Sequence, residues 1–217
     1  MSVSTGRVRV KICGVTNEAD ALEAIAAGAD ALGFNLFSGS KRCVDLDREA
    51  GWIQALPPFV TRVAVLVNAT LDEARQVAGH PAIDLVQFHG DEDESYCGEF
   101  ARFGRPFLKA LRLRDEASIA AADRFSTPDL LLDADAGGAF GGTGKLIDLK
   151  LAAECVRRHP TLKIVLAGGL SSVNVADAVR VVRPYAVDVA SGVESAPRKK
   201  DRREMAAFIE AVAAVRW

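Results

Sequence analysis

The chain has 217 residues, of which 49% are hydrophobic and 26% are charged, and its formal net charge is −2. This length suits one large globular domain, so we expect a single domain over residues 1–217. The lack of a basic excess argues against a nucleic-acid partner, because nucleic-acid-binding proteins use clustered Lys and Arg to displace counterions from phosphates.

Neither a membrane segment nor an export signal is predicted. No apolar stretch approaches the ~20 residues that cross a bilayer, and the first residues lack the apolar core of a secretory signal. The four cysteines are scattered, without a CxxC pair or the spacing to histidines that is typical of a zinc site. We therefore expect a cytoplasmic protein with free thiols, no metal and no membrane partner.

The predicted elements alternate between strand and helix. The first strand begins at Val8, carries Lys11 and Cys13 on one face and stops at Gly14. A helix follows over residues 17–28, where apolar residues recur at helical spacing. Seven further strands are predicted at 31–37, 62–68, 85–90, 106–113, 129–135, 163–169 and 186–192, and seven further helices at 47–55, 71–78, 92–103, 115–122, 149–158, 173–181 and 201–215.

This order predicts an α/β protein, a closed parallel (β/α)8 TIM barrel. Helical crossovers return the chain so that successive strands run parallel. Eight strand-helix units in about 200 residues is the composition of such a barrel. A doubly wound open sheet is the alternative, and it is disfavoured because no GxGxxG follows the first strand.

Strand parity predicts a buried ion pair below the end of the first strand. Lys11 and Cys13 share a face, and on the eighth strand Asp188 shares a face with Ala190. Since the first and eighth strands adjoin in a closed barrel, we expect Lys11 and Asp188 to point inward and to pair beneath Cys13. An unpaired charge there would be costly. Lys11 should then lower the pKa of the Cys13 thiol.

Glycines at the ends of two successive strands predict a phosphate site. The seventh strand ends at Gly168 and Gly169, and the eighth ends at Ser191 and Gly192. Glycine lets backbone N–H groups approach an anion, and a short helix expected near residue 193 would add its positive end. The alternative is that these glycines only end helices and turns. The loop 141–144 is a candidate second anion nest or lid, and we count Gly144 among the substrate-binding residues.

Five further polar residues are candidates with a structural alternative. Asp133 ends a buried apolar strand, where a carboxylate needs a partner or a catalytic role, and Asp135 shares its parity. The choice between the two aspartates stays open at this point. Arg42 either clamps a carboxylate or belongs to the solvated surface. Gln87 and His89 are interpreted as cavity wall or core hydrogen-bonding groups, because nothing near them completes a catalytic triad.

A set of motifs in this chain resembles the phosphoribosylanthranilate isomerase family. The motifs occur in the family's order from residue 8 to about residue 215, and they are KICGVT (11–16), GADALGF (28–34), SKR (40–42), VQFHG (86–90), LLD (131–133), GGTG (141–144), LAGGL (166–170) with Asn174 and Val175, and VDVASGVE (187–194). The resemblance implies a step of tryptophan biosynthesis. N-(5-phosphoribosyl)anthranilate becomes 1-(2-carboxyphenylamino)-1-deoxyribulose 5-phosphate by an Amadori rearrangement, without cofactor or metal.

The resemblance also implies roles for individual residues. Cys13 would be the general base and Asp133 the general acid, while Arg42 would hold the anthranilate carboxylate. The phosphate would be held by Gly168, Gly169, Ser191 and Gly192. The run 197–201 departs from the family pattern, with an arginine where glycine is common, and we expect it to lie away from the proton-transfer groups.

Two other functions are alternatives to the isomerase. Another phosphosugar isomerase or epimerase is disfavoured, because those enzymes carry Asp or His where Cys13 stands. A non-catalytic protein that binds a phosphate ligand is disfavoured by the presence of both Cys13 and Asp133. The expected partner is a small phosphoribosyl molecule, and the expected state is a monomer.

Overall fold

The computed structural model describes residues 7–134 and 146–216 and confirms the (β/α)8 barrel. Eight parallel strands pair in chain order, and the first also pairs with the eighth, which closes the barrel. The strands are β1 (Arg9–Cys13), β2 (Ala31–Asn35), β3 (Thr61–Leu66), β4 (Leu85–Phe88), β5 (Phe107–Leu113), β6 (Asp129–Ala134), β7 (Lys163–Leu166) and β8 (Ala186–Val189).

A helix follows each strand of the barrel. The helices are α1 (Glu18–Ala27), α2 (Leu46–Gln54), α3 (Leu71–Ala78), α4 (Glu94–Ala101), α5 (Glu116–Ala120), α6 (Leu149–Arg158), α7 (Val175–Val182) and α8 (Arg202–Ala213). Local sequence determines their ends. The Asn17 side chain accepts the N–H of Asp20 at the start of α1, and Gly28 ends it with a left-handed φ of 106°. None of the helices in the described ranges is long and apolar enough to cross a membrane.

Apolar side chains fill two layers. The larger core lies between the strands and the surrounding helices and contains Phe34, Phe88 and Phe100, all fully buried. A smaller cluster fills the inside of the barrel, and its buried members are Leu108, Ala110, Leu131, Val165, Ala167 and Ala186. Because this cluster packs the interior, the barrel is not a pore. Polar groups are left to its carboxyl end.

Strand register determines which of these polar groups meet. Lys11 lies opposite Asp188 on β8, and Cys13 lies opposite Gly33 on β2. On the far side of the barrel, Arg112 of β5 lies opposite Asp133 of β6. Side chains that parity places on the inner face therefore converge at one end of the barrel.

The segment after β8 differs from the prediction. No helix begins near residue 193 in the described structure. A single 3₁₀ turn, Ser191–Val193, leads into a short antiparallel hairpin of β9 (Glu194–Ala196) and β10 (Lys199–Lys200). Most strands of the barrel also end earlier than predicted, and β7 and β8 end three residues earlier. The residues predicted to end these strands belong instead to the loops that line the site.

Candidate active site

One cavity of about 680 Å³ lies at the carboxyl ends of the strands. It brings together most of the residues that the sequence singled out, and its lining includes Cys13, Arg42, Asp133, Gly168, Gly169, Asp188, Ser191 and Gly192. Gly144, the loop 137–144 and Asp135 fall outside the described residues. The position agrees with the usual location of chemistry in (β/α)8 barrels.

The buried pair predicted from strand parity is present. Lys11 Nζ donates to Asp188 Oδ1 at 2.6 Å, and the two side chains are 5% and 7% exposed. Burial lowers the pKa of Lys11, but the negative charges of Asp188 and Cys13 outweigh it, so the pKa lies above its usual value. Lys11 is therefore a fixed positive charge on the floor of the site.

The Cys13 thiol is not activated in the way the sequence suggested. Lys11 and Lys200 do lower the pKa of this thiol, but burial raises it by more, and Asp188 adds to the rise. The net pKa lies above the usual thiol value. The prediction that Lys11 would leave Cys13 more acidic was therefore wrong in its net direction, because it omitted the cost of desolvating a thiolate.

Two glycines make room for the reactive side chains. A Cβ at Gly33 would lie 2.8 Å from Cys13 Sγ, closer than real Cβ atoms approach other atoms, and 3.0 Å from Lys11 Nζ, which is a tight contact. A Cβ at Gly14 would lie 2.3 Å from Cδ of Arg42, and Gly14 also has a φ of +72°. Glycine at these two positions allows the thiol and the arginine to lie against the ends of β1 and β2.

Lys200 and Glu194 belong to the site although the sequence analysis missed them. Lys200 Nζ is fully buried and donates to the carbonyl oxygens of Cys13 (2.6 Å) and Ala190 (2.9 Å) and to Glu194 Oε1 (3.2 Å). Burial lowers the pKa of Lys200 despite this carboxylate. The expectation that the run 197–201 lies away from the proton-transfer groups was wrong, because Lys200 binds the backbone of Cys13.

Arg42 is held in a defined position. Its Nε and Nη2 donate to the two oxygens of Glu194 at 2.7 and 2.6 Å, and its side chain is only 16% exposed. These hydrogen bonds raise the pKa of Arg42. Burial raises the pKa of Glu194, but Arg42 and Lys200 together bring it below the usual value. The surface alternative for Arg42 is therefore excluded, and its Nη1 is the nitrogen not engaged by Glu194.

Asp133 ends a row of three hydrogen-bonded side chains. His89 Nε2 lies 3.1 Å from Asp133 Oδ2, and His89 Nδ1 lies 2.7 Å from the Gln87 amide nitrogen. The other oxygen of Asp133 accepts the N–H of Ala134 at 2.8 Å. His89 lines the cavity and Gln87 is fully buried, as their interpretation as cavity wall and core group requires.

The predicted phosphate glycines lie close together. Gly168 and Gly169 both have positive φ, 88° and 66°, which glycine adopts without strain. A Cβ at Gly192 would lie 2.0 Å from the carbonyl oxygen of Leu170, so the turn after β8 packs tightly on the loop after β7. The Asn174 side-chain amide stabilises that loop by donating a hydrogen bond to the carbonyl oxygen of Gly169 at 3.0 Å. The arrangement presents a compact backbone surface to the cavity.

No group of three or more His, Cys, Asp or Glu within 7–134 and 146–216 could hold a metal ion. The described side chains of the cavity can transfer protons through the Cys13 thiol and the Asp133 carboxyl group, and the same cavity is lined by the cationic Arg42 and by glycines suited to an anion. This combination suits the rearrangement of a small phosphorylated anion.

Comparisons with known proteins show the family to which the chain belongs. The family model described as N-(5'phosphoribosyl)anthranilate (PRA) isomerase matches residues 10–211. The N-(5'-phosphoribosyl)anthranilate isomerase of Neisseria meningitidis serogroup C is 45% identical over 207 residues, which cover 94% of this chain and 95% of that protein. The N-(5'-phosphoribosyl)anthranilate isomerase of Pseudomonas fluorescens is also 45% identical, and the match covers 94% of this chain and 98% of that protein.

Solved structures agree as well. The chain is similar to the crystal structure of phosphoribosyl anthranilate isomerase from Thermotoga maritima, with 37% identity, a TM-score of 0.86 and coverage of 96% of this chain and all of that one. It is also similar, with 35% identity, a TM-score of 0.82 and the same coverage, to a phosphoribosyl anthranilate isomerase in complex with reduced 1-(o-carboxyphenylamino)-1-deoxyribulose 5-phosphate.

Proposed function

Since the chain belongs to the N-(5'-phosphoribosyl)anthranilate isomerase family, and is thus an isomerase of tryptophan biosynthesis, we propose that Cys13 and Asp133 are its general base and general acid. The observation that carries the proposal is that both side chains line one cavity, together with the phosphate glycines and Arg42. The reaction is the Amadori rearrangement of N-(5-phosphoribosyl)anthranilate to 1-(2-carboxyphenylamino)-1-deoxyribulose 5-phosphate.

The proposed steps use two proton-transferring groups. Protonated Asp133 gives its proton to the furanose ring oxygen, the C1–O bond breaks, and the nitrogen lone pair forms an iminium. The Cys13 thiolate then takes the proton from C2, and the electron pair moves to give an enolamine. This enolamine gains a proton at C1 and loses one from the C2 hydroxyl, which yields the ketone. The substrate nitrogen serves as the electron sink, so the steps need neither cofactor nor metal.

The electrostatics of Cys13 determine how this base would work. Its raised pKa makes the thiol the main form at neutral pH, so only a small fraction of molecules carries the thiolate. The positive charges of Lys11 and Lys200 oppose the rise and stabilise the thiolate when it forms. We therefore assign Lys11 and Asp188 a supporting role: Asp188 keeps Lys11 protonated, and the Lys11 ammonium group stabilises the thiolate.

Substrate binding is proposed to use both ends of the cavity. Backbone groups at Gly168, Gly169, Ser191 and Gly192 would bind the phosphate, which suits the tight packing of these loops. Arg42 would bind the anthranilate carboxylate through Nη1, because Nε and Nη2 are engaged by Glu194. Gly144 stays a prediction.

Assembly and location also stay predictions. We propose a monomeric, single-domain, cytoplasmic enzyme. One similar solved structure is of monomers generated from a dimeric isomerase of Thermotoga maritima. Sedimentation at several concentrations gives the mass directly: a mass of about 23.1 kDa supports the monomer, and twice that contradicts it.

The assay that tests the roles follows the loss of substrate fluorescence with freshly generated phosphoribosylanthranilate. We expect turnover by the wild type and a fall in kcat of about 10²–10⁴-fold in Cys13→Ala and in Asp133→Asn. Cys155→Ala, which changes a buried thiol on α6, is the matched control and should keep its activity. Full turnover in both site variants contradicts the assigned roles. Tight binding without turnover in the wild type supports the non-catalytic alternative.

A further inference from the structure

The row that ends at Asp133 runs from the protein core to the cavity. Gln87 is fully buried, whereas the side chains of His89 and Asp133 are 15% and 13% exposed. The hydrogen bonds along the row measure 2.7 Å between Gln87 and His89 and 3.1 Å between His89 and Asp133. Gln87 and His89 thus connect a carboxyl group of the site to the core.

One atom in this row lacks a hydrogen bond. Gln87 Oε1 is buried and has no partner among the residues that the structure describes. A buried acceptor without a donor is rare and costs free energy. Because a half-turn of the amide exchanges its oxygen and nitrogen, Gln87 has a second arrangement in which Oε1 faces His89.

For a neutral imidazole, the two amide arrangements require different tautomers. When the Gln87 NH₂ group donates to Nδ1, the ring proton lies on Nε2, and His89 donates to Asp133. Asp133 is then an acceptor, as a carboxylate is. When Gln87 Oε1 faces Nδ1, the ring proton lies on Nδ1, and Nε2 accepts. Asp133 must then donate, which only the protonated acid can do. The second arrangement holds one more proton than the first, and that proton is on Asp133.

We propose that Gln87 is a positioning residue that selects the His89 tautomer and thereby orients the Asp133 carboxyl in either of its protonation states. The proposal rests on the proposed role of Asp133 as the general acid. A general acid alternates between two protonation states in each turnover. A hydrogen-bonding partner that can only donate or only accept would suit just one of these protonation states. The Gln87 amide, which does both, lets the row stay hydrogen-bonded before and after the proton leaves.

Nitrogen NMR on protein labelled with ¹⁵N-histidine reads the tautomer directly. The chain has three histidines, and the signals of His89 are identified by their loss in His89→Asn. We expect the free wild-type enzyme to carry the proton on Nε2, as the amide arrangement of the structure requires, so Asp133 must take up a proton before it acts as the acid. In Gln87→Glu the carboxylate at position 87 only accepts, so we expect the proton on Nδ1. The chemical shifts of both ring nitrogens distinguish the two outcomes.

Kinetics test whether the tautomer matters for catalysis. Gln87→Leu leaves His89 without an orienting partner, and we expect kcat to fall about tenfold to a hundredfold with KM changed less than about twofold. Gln76→Leu, on the exposed face of α3, is the matched control. Urea unfolding of each variant shows that it is folded under the assay conditions.

The outcomes separate this inference from the proposed function. If Gln87→Leu keeps full kcat while Asp133→Asn loses it, the inference fails and the role of Asp133 stands. An unchanged His89 tautomer in Gln87→Glu also overturns the inference. If the wild type does not turn over the substrate, the proposed function fails, while the tautomer measurement still shows whether Gln87 controls His89.

Discussion

Replacing Gly33 by alanine tests whether the space beside Cys13 is required. The added Cβ would lie 2.8 Å from Cys13 Sγ, and ordinary contacts begin at 3.4 Å, so the sulfur must move by about 0.6 Å. Lys11 Nζ, 3.0 Å from the same point, cannot yield freely because it is held 2.6 Å from Asp188. We expect the free energy of unfolding to fall by ~1–3 kcal/mol, the usual cost of one extra carbon in a packed interior.

The same displacement should slow catalysis more than it weakens binding. Misplacing a reacting group by ~1 Å costs up to about a hundredfold in rate, so we expect kcat to fall about tenfold to a hundredfold with little change in KM. The substrate-fluorescence assay and urea unfolding measure the two effects. Gly51→Ala is the control: its Cβ meets nothing within 4 Å in helix α2, and it should stabilise by ~1 kcal/mol. Wild-type kcat in Gly33→Ala would refute the reasoning.

Three more predictions address Cys13, Arg42 and a buried ion pair outside the cavity lining. The rate of Cys13 alkylation by iodoacetamide should rise roughly tenfold per pH unit from pH 7 to about 9, because burial raises the pKa of the thiol. Peptide mass mapping measures this rate, and a rate that levels off near pH ~7 contradicts the prediction. Glu194→Gln should raise KM about tenfold and leave kcat unchanged, since it weakens the charged pair that orients Arg42. A lower KM would instead mean that Glu194 competes with the substrate for Arg42. Glu92→Gln should destabilise by ~3–5 kcal/mol, since it removes the counter-charge that lies 2.8 Å from the buried Lys109 ammonium group; an unchanged thermal unfolding curve contradicts this.

Much of the barrel could be predicted from the sequence, because its signals are local. Alternation along β1 placed Lys11 and Cys13 on one face, and closure of eight parallel strands placed β8 beside β1. The pairing of Lys11 with Asp188 follows from these two facts alone. Helix ends could be predicted to within a residue or two where a cap was readable, as at Asn17 and Gly28.

The rest of the site depends on contacts that no local pattern encodes. In the sequence, Glu194 and Lys200 resemble surface charges in a polar run. Only the hairpin after β8 brings them into contact with Arg42 and the Cys13 carbonyl. The pKa of Cys13 could not be predicted from its lysine neighbour, because the deciding contribution is the burial of the sulfur. Strand parity predicts which side chains are neighbours, but it does not predict how far a side chain is buried from solvent.

The bonds made by Lys200 have a consequence for how the protein is made. Its ammonium group joins the carbonyl of Cys13, 187 positions earlier in the chain, to the end of β8. During synthesis, Cys13 emerges from the ribosome long before Lys200 and Asp188. At about 5–20 residues per second, the first strand waits on the order of ten seconds or more for the partners of its polar groups. Over that time Lys11 has no buried counter-charge, which penalises closing the barrel before the eighth strand arrives.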